Sequence, residues 1–494
     1  MDRLCNATLA RLATGVSKPA YDRTTLATGI VHLGLGAFQR AHQAVYTDTL
    51  LASDPRWGIL GVSLRSPETR DALGPQDGLY CVETMDGRGA RHRVIGALTG
   101  QAVAPENPAA LIARLADPAV RIVSTTVTEK GHSHDPATGA LREGDRDVRH
   151  DLIHIDRPRT TLGTIVAGLK RRKELGVAPF TVLACDNLPA NGHTLRGLVI
   201  SFAELLDPEL GRWLAGEVRF PSTMVDRIVP ATTDEDRARV AAALGLADAW
   251  PVVAEPFSQW VIEDDFSIGR PAWDQSGAQF VRDVAPYELM KLRLLNGAHS
   301  TLAYLGYLMG RDTVAAAMQD DGLTRLLEGM MRDEVTPTLP SLEGIDLAAY
   351  RTSLLERFRN PTLKHRTWQI AMDGSQKLPQ RLLGTIRDRL AKNEPIDRLA
   401  LGVAAWMRYV TGIDEQGQPI DVRDPLAGRL RAIAEQAGPI AARLAPALFT
   451  VREVFGGDLP ADPRFTAEVE AALDKLFRFG VRATLERLVR GPAV

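Results

Sequence analysis

The stretch YELMKLRLLNGAHSTLAYLGYLMG, from Tyr287 to Gly310, carries Glu288, Lys291, Asn296 and His299 in a run otherwise too apolar for a surface helix. On a helix turning about 100° per residue, the four side chains fall within an arc of roughly 140°. They can face one cavity while the leucines face the core. Burial disfavours the charged form of a lysine, so Lys291 could be neutral near working pH and take the proton of an alcohol. Asn296 and His299 could hydrogen-bond the oxygen as negative charge develops on it. A single such residue reads as a snorkelling lysine or a satisfied core polar group. Four on one face point to a reaction.

A second constellation lies near the N-terminus. GIVHLGLG (29–36) reads as a buried strand that runs into a glycine turn, and AFQRAHQAVYTD continues as a helix. Glycines let the backbone approach a pyrophosphate, and a helix N-terminus offers unpaired N–H groups and a favourable dipole. Gly34, Gly36, Phe38 and Arg40 are the candidate cofactor contacts. Gln39 stands where G-x-G-x-x-G has its third glycine, so the run alone also fits a tight turn in any α/β protein. The next strand ends at SLRSPET, where an acid would accept hydrogen bonds from the adenosine ribose. Glu68 lies close to that position and favours NAD. Arg65 and Ser66 lie there too and could hold the 2′-phosphate of NADP instead.

Other features admit structural explanations. HDLIH places His150 and His154 one helical turn apart but lacks the following glutamate and a third ligand, so no metal is expected. His132 and His134 in HSH read as a loop beyond a strand. The basic run KRRKEL (170–175) reads as a helix end whose cations complement the dipole. Arginine-rich stretches such as LLERFRN (354–360) read as solvated faces. There is no G-x-S-x-G elbow, which argues against a hydrolase.

These groups need elements to hold them. WGILGVSLR (57–65), VRIVSTTVT (120–128) and PFTVLACDN (179–187) join GIVHLGLG as buried strands, separated by helical segments such as PAALIARLAD and LGTIVAGLKRRKEL. Continuous apolar strands with intervening helices indicate a parallel sheet covered on both faces. After residue 285 the patterns are mostly helical. The expectation is an α/β Rossmann-type domain over 1–284 and a mainly α-helical domain over 285–494. At 494 residues the chain has room for both. A net charge of −2 argues against a general nucleic-acid or anionic-membrane binder. Three scattered cysteines fit a reducing compartment, and no run of ~18 uncharged apolar residues suggests a membrane span. A cytoplasmic location is expected.

GIVHLGLGAFQRAHQAVYTD, VTEKG, CDNLPANGH, FPSTMVDRIVPAT, EPFSQWVIEDDF, KLRLLNGAHS and DGSQKLPQR occur in the order found in the mannitol dehydrogenase family, and the chain resembles that family over nearly its whole length. The resemblance implies metal-independent hydride transfer between NAD, or less favourably NADP, and a small polyol or sugar acid. It implies Lys291 as general base, and Asn187 and Asn296, with His299, as groups stabilising the oxygen. Glu288 and Glu129 match acids that connect the lysine with solvent, and Asp226 and Lys377 match substrate-binding positions. Gln39 departs from the histidine usual in the family. HRTWQIAMDGSQKLPQR (365–381) is most similar to the fructuronate reductase branch, whereas the mannitol-oxidising branch often has arginine where this chain has Gln369. A hexuronate carboxylate could pair with Lys377 and with Arg366 or Arg381. D-mannonate and D-fructuronate are therefore the expected pair, with mannitol and fructose as the alternative, in a monomer or small homo-oligomer.

Overall fold

The computed structural model describes residues 1–135 and 139–490. The chain separates into two compact units, Met1–Ala285 and Pro286–Val494.

Among the described residues the first unit has eleven strands: β1 (Thr28–Leu33), β2 (Gly58–Ser63), β3 (Tyr80–Asp86), β4 (Gly89–Ile95), β5 (Leu98–Val103), β6 (Ile122–Thr125), β7 (Thr181–Ala184), β8 (Thr223–Asp226), β9 (Val252–Ala254), β10 (Gln259–Glu263) and β11 (Gln279–Val281). The main sheet runs β5-β2-β1-β6-β7 with every pairing parallel. Renumbered along the chain, that order is 3-2-1-4-5, the Rossmann arrangement. Successive side chains of each strand point to opposite faces. Ile30, Ile59, Ile122 and Leu183 accordingly join Trp57, Trp260 and Trp273 in one core. Val31, Leu33, Val62, Val123 and Val182 pack on the other side with Leu115, Leu162, Ile165 and Leu198. Truncating any of these leucines or isoleucines to alanine should cost about 2–5 kcal/mol.

The helices over that second core have clear local causes. Thr160 accepts from the Gly163 amide at the start of Thr161–Leu175, and Gly176, at φ 67°, ends it in the left-handed region. Within this helix Arg172 does more than complement the dipole as expected of the KRRKEL run. It is fully buried and donates to the carbonyls of Leu115, Asp117, Val120 and Ala178, clamping the approach to β6.

β5 went unread in the sequence because LTGQAV mixes glycine and polar residues; it is an edge strand and half-buried along most of its length. Two smaller sheets, β4-β3-β9 and β11-β10-β8, complete the unit. Among the described residues no strand follows Val281. The second unit is helical, and no helix among the described residues is long and apolar enough to cross a membrane.

Candidate active site

The main sheet reverses its strand order between β1 and β6, and ligands of open α/β sheets bind beyond the carboxyl ends of such strands. Gly34 follows β1 there with φ 105°, and a Cβ on it would stand 2.4 Å from the Thr126 carbonyl oxygen. Only glycine fits. His32, fully buried, bridges the two strands through Nδ1 to Ser124 Oγ (2.8 Å) and Nε2 to Thr126 Oγ1 (2.8 Å). Desolvation pulls its pKa down to about 4, so the ring is neutral at working pH. Gly36 is exposed, and a Cβ there would meet only the Gly34 carbonyl, at 3.7 Å. The protein leaves that face of the turn open.

The helix that follows is shorter than expected. Ala37–Ala41 breaks at His42 (φ −121°, ψ −91°) before Gln43–Leu50 begins. A five-residue helix has little macrodipole, so the turn offers its N–H groups more than its field. Phe38 is half-buried and stacks on His42, ring centroids 5.0 Å apart. Arg40, expected as a cofactor contact, packs in the core. It is 3% exposed, donates to the Trp250 carbonyl (2.5 Å) and lies over the Tyr80 ring. Gln39 is fully buried with neither amide atom hydrogen-bonded. Glu68 is exposed at the start of Glu68–Leu73 and accepts from Ser66 Oγ at 3.2 Å.

Asn187 is exposed just past β7, next to the buried Asp186. Asp186 accepts from Thr125 Oγ1 (2.6 Å) and the Val127 amide (2.5 Å), and His132 Nε2 lies 3.1 Å away. Asn191, which the sequence reading passed over inside CDNLPANGH, donates to the Asp186 and Thr223 carbonyls and accepts from the Thr223 amide. It therefore locks the exit of β7, bearing Asn187, to β8, whose last residue is the buried Asp226. Glu129 starts the 3-10 turn Glu129–His132, and its side chain lies outside the described residues.

In the second unit the run expected to be one α-helix is three pieces. Ala285–Met290 is α-helical, Lys291–Asn296 is π-helical and Gly297–Leu308 is α-helical again. An i→i+5 ladder turns less per residue than an α-helix, so the 100° arc calculation fails across Lys291–Asn296. Glu288, Lys291 and Asn296 are half-buried and His299 is buried. A second π-helical segment, Pro379–Leu383, packs against this one, and a Cβ on Gly297 would come 2.8 Å from the Arg381 carbonyl oxygen. That close approach explains the glycine in LNG.

His299 is 9% exposed, and its Nε2 has no hydrogen-bond partner. Its ring stacks on Phe358 (5.2 Å, 17°) and meets His365 edge-on (4.9 Å, 69°). Burial, followed by His365, Arg381, Arg357 and Lys377, pushes its pKa well below the usual histidine value. Arg381 Nη1 donates to Ser300 Oγ (2.9 Å), and Lys377 Nζ donates to the Met372 carbonyl (2.5 Å). Arg357, in the stretch read as a solvated face, is 7% exposed beside Phe358. Arg366 is instead exposed and faces Asp312 at 3.8 Å. The structure thus gathers Lys377 and Arg381 toward His299 and adds two residues the sequence reading missed, Arg357 and His365. His365 stood inside the quoted HRTWQ motif; nothing in LLERFRN marked Arg357 as buried.

His150 and His154 have ring centroids 5.1 Å apart, with His150 Nδ1 3.0 Å from Asp151. Among the described residues no three His, Cys, Asp or Glu side chains gather into a metal-sized group.

Residues 28–275 match the mannitol dehydrogenase Rossmann domain, and residues 283–477 match the mannitol dehydrogenase C-terminal domain. The chain belongs to the mannitol dehydrogenase family and is an oxidoreductase. It is 47% identical over 473 residues to uncharacterized oxidoreductase YeiQ of Escherichia coli (strain K12), covering 95% of this chain and 96% of the relative. It is 46% identical over 480 residues to D-mannonate oxidoreductase of the same organism, covering 96% and 98%. Among solved structures, Pseudomonas fluorescens mannitol 2-dehydrogenase in ternary complex with NAD and D-mannitol is 40% identical with a TM-score of 0.86, covering 99% of this chain and 100% of that one.

Proposed function

We propose that this enzyme uses a nicotinamide dinucleotide, NAD by preference, to interconvert a secondary alcohol and its ketone on a six-carbon sugar acid, with D-mannonate and D-fructuronate as the pair. The observation that carries the reading is the arrangement on the second unit. Lys291 sits on a π-helical turn three residues after Glu288, and that turn leads to a buried neutral His299 with an unpartnered nitrogen. π-helical turns inside α-helices are frequent at functional sites.

The first unit's turn fits a dinucleotide. Gly34 is required by the backbone, and the open face at Gly36 accepts a ligand where a side chain would intrude. Glu68 is the group we assign to the adenosine ribose. When bound, the dinucleotide supplies the hydride acceptor or donor. Lys291 takes the hydroxyl proton on oxidation and returns it on reduction, and Glu288 and Glu129 pass it to and from solvent. Asn187, Asn296 and His299 stabilise the oxygen by hydrogen bonds as its charge grows. Asp226 and Lys377 hold the remaining substrate groups. The proton goes to an amine, so the step is written without a metal.

The 46% identity to D-mannonate oxidoreductase and the cations around His299 support an acid substrate. The full-length similarity to a mannitol 2-dehydrogenase favours a second reading, mannitol and fructose. Initial rates on D-fructuronate, D-fructose and other hexuloses with NADH and with NADPH, before and after EDTA treatment, test the assignment. Fructuronate with NADH should give the highest kcat/KM, unchanged by EDTA. A preference for fructose replaces the acid reading with the alditol one, and no turnover on any of them overturns both.

A further inference from the structure

We propose that Asp186 and His132 are positioning residues, which hold from one buried carboxylate the two loops of the first unit that carry Asn187 and Glu129. Neither takes part in the reaction proposed for this enzyme, and the inference rests on the roles proposed there for Asn187 and Glu129.

The chain that leaves β6 meets Asp186 twice. At its start the Thr125 hydroxyl donates to Asp186 Oδ2 (2.6 Å) and the Val127 amide to Oδ1 (2.5 Å). At its end His132 Nε2 lies 3.1 Å from Oδ2. Between them runs the 3-10 turn Glu129–His132. The turn folds back on its own beginning. The Gly131 amide donates to the Thr128 carbonyl (2.7 Å), and a Cβ on Gly131 would stand 2.3 Å from Val127 Cγ1. Ser133, at φ 51°, then carries the chain away. Glu129 thus stands in a loop whose two ends meet one side chain. The same residue governs the exit of β7. The Cys185 amide donates to the Thr125 carbonyl (3.0 Å), and the Asp186 carbonyl accepts from Asn191 Nδ2 (2.9 Å). With its carboxylate bound at the exit of β6 and its carbonyl bound by Asn191, Asp186 fixes the peptide that leads into Asn187.

The tie is tight at one end and loose at the other. Asp186 is 3% exposed, and its bonds to Thr125 and Val127 replace the hydration that burial removes. His132 is 1% exposed, yet its Nε2 stands at ion-pair distance off the direction of a hydrogen bond, and its Nδ1 has no hydrogen-bond partner. Buried polar groups that serve packing alone are normally satisfied. The difference matches what the two loops must do. A donor that stabilises a growing oxygen charge works by being fixed beforehand, which the tight end gives Asn187. An acid that carries a proton must reach two partners in turn, which the loose end allows Glu129.

Double-mutant cycles on kcat test the tie, run on whichever of fructuronate and fructose the wild type reduces faster, with NADH binding followed by fluorescence titration. Asp186→Asn keeps the shape of the side chain and removes an acceptor, so kcat should fall roughly tenfold or more while Kd for NADH stays within about twofold of wild type. In an Asn187→Ala or a Glu129→Gln background the same change should cost about threefold at most, because the group it positions is gone. His132→Leu should lose less than Asp186→Asn and should couple to Glu129→Gln while adding fully to Asn187→Ala. His132→Gln, which restores a donor, should recover part of that loss. Full and additive losses in both backgrounds would overturn the tie and make Asp186 a residue of fold stability alone, leaving the roles of Asn187 and Glu129 standing. Should Asp186→Asn not fold, the His132→Leu cycle decides: coupling to Glu129→Gln supports the tie and additivity overturns it. If Asn187→Ala and Glu129→Gln each keep kcat near wild type, the roles proposed for those two residues fail and the tie fails with them.

Discussion

The two units solve the same problem, placing polar groups in a protein interior, in opposite ways. Around the β1–β6 switch point most of the named polar groups are closed on one another, although Gln39 beside the turn has neither amide atom hydrogen-bonded. His32 is bound to Ser124 and Thr126, Asp186 to Thr125 and Val127, and Asn191 to Asp186 and Thr223. Around His299 a buried ring nitrogen has no hydrogen-bond partner, and several cations lie near enough to hold its pKa down. The first arrangement fixes a rigid backbone surface that meets a ligand mainly through amides and glycines. The second surrounds a buried neutral histidine with cationic side chains. In the function proposed above, the first arrangement serves the cofactor and the second the substrate.

The largest test of this contrast is Lys291→Ala. It removes the base proposed for the second unit and leaves the first unit's sequence unchanged, so turnover should fall by about 10²–10⁴, the usual worth of general acid–base catalysis. NADH binding, followed by fluorescence titration, should be unchanged. A loss of only a few-fold would take Lys291 out of the role. Lys377→Met comes next. Removing a charge-assisted partner should cost about 1.5–3 kcal/mol, roughly ten- to a hundredfold in kcat/KM for fructuronate, with a smaller loss for fructose.

The closed network of the first unit should declare itself in stability rather than rate. His32 has a folded pKa of about 4 against about 6.5 unfolded, so below pH 6.5 the unfolded chain binds the proton more readily. The stabilisation is present in full above pH 6.5 and is lost as pH falls toward 4, amounting to about 2 kcal/mol lost by pH 5. His299, also depressed, adds in the same direction. Urea unfolding at pH 7 and pH 5 should show the drop, and His32→Gln should flatten it while lowering stability at pH 7. An unchanged pH slope in that variant would mean His32 is not buried neutral. The smallest effect is expected at the exposed Glu68. Two unit charges about 4 Å apart in water repel by about 1 kcal/mol, so Glu68→Ser should raise the NADPH-to-NADH ratio of kcat/KM by about fivefold. A wild type that already prefers NADPH would hand the position to Arg65 and Ser66.

Much of this protein follows from sequence because its signals are local. Continuous burial along GIVHL and its partner strands, the glycine at a left-handed turn and the threonine before a helix are determined within a few residues. So are the order of motifs and the family they define. Other features depend on residues far apart in the chain. Arg40 and Arg172 are basic residues in polar-looking runs, and only the carbonyls and rings brought to them from other segments show that they are core groups. Arg357 reads as one more solvated arginine until Phe358 packs on His299. The π-helical turn at Lys291 has no periodic signature, and Gly297, directly after it, lets the backbone of residue 381 approach. The sequence by itself determined which residues could do chemistry and on which kind of element each would stand. Only tertiary structure decided which charges share a buried neighbourhood, because desolvation and the sum of nearby charges belong to the packed chain and to no segment of it.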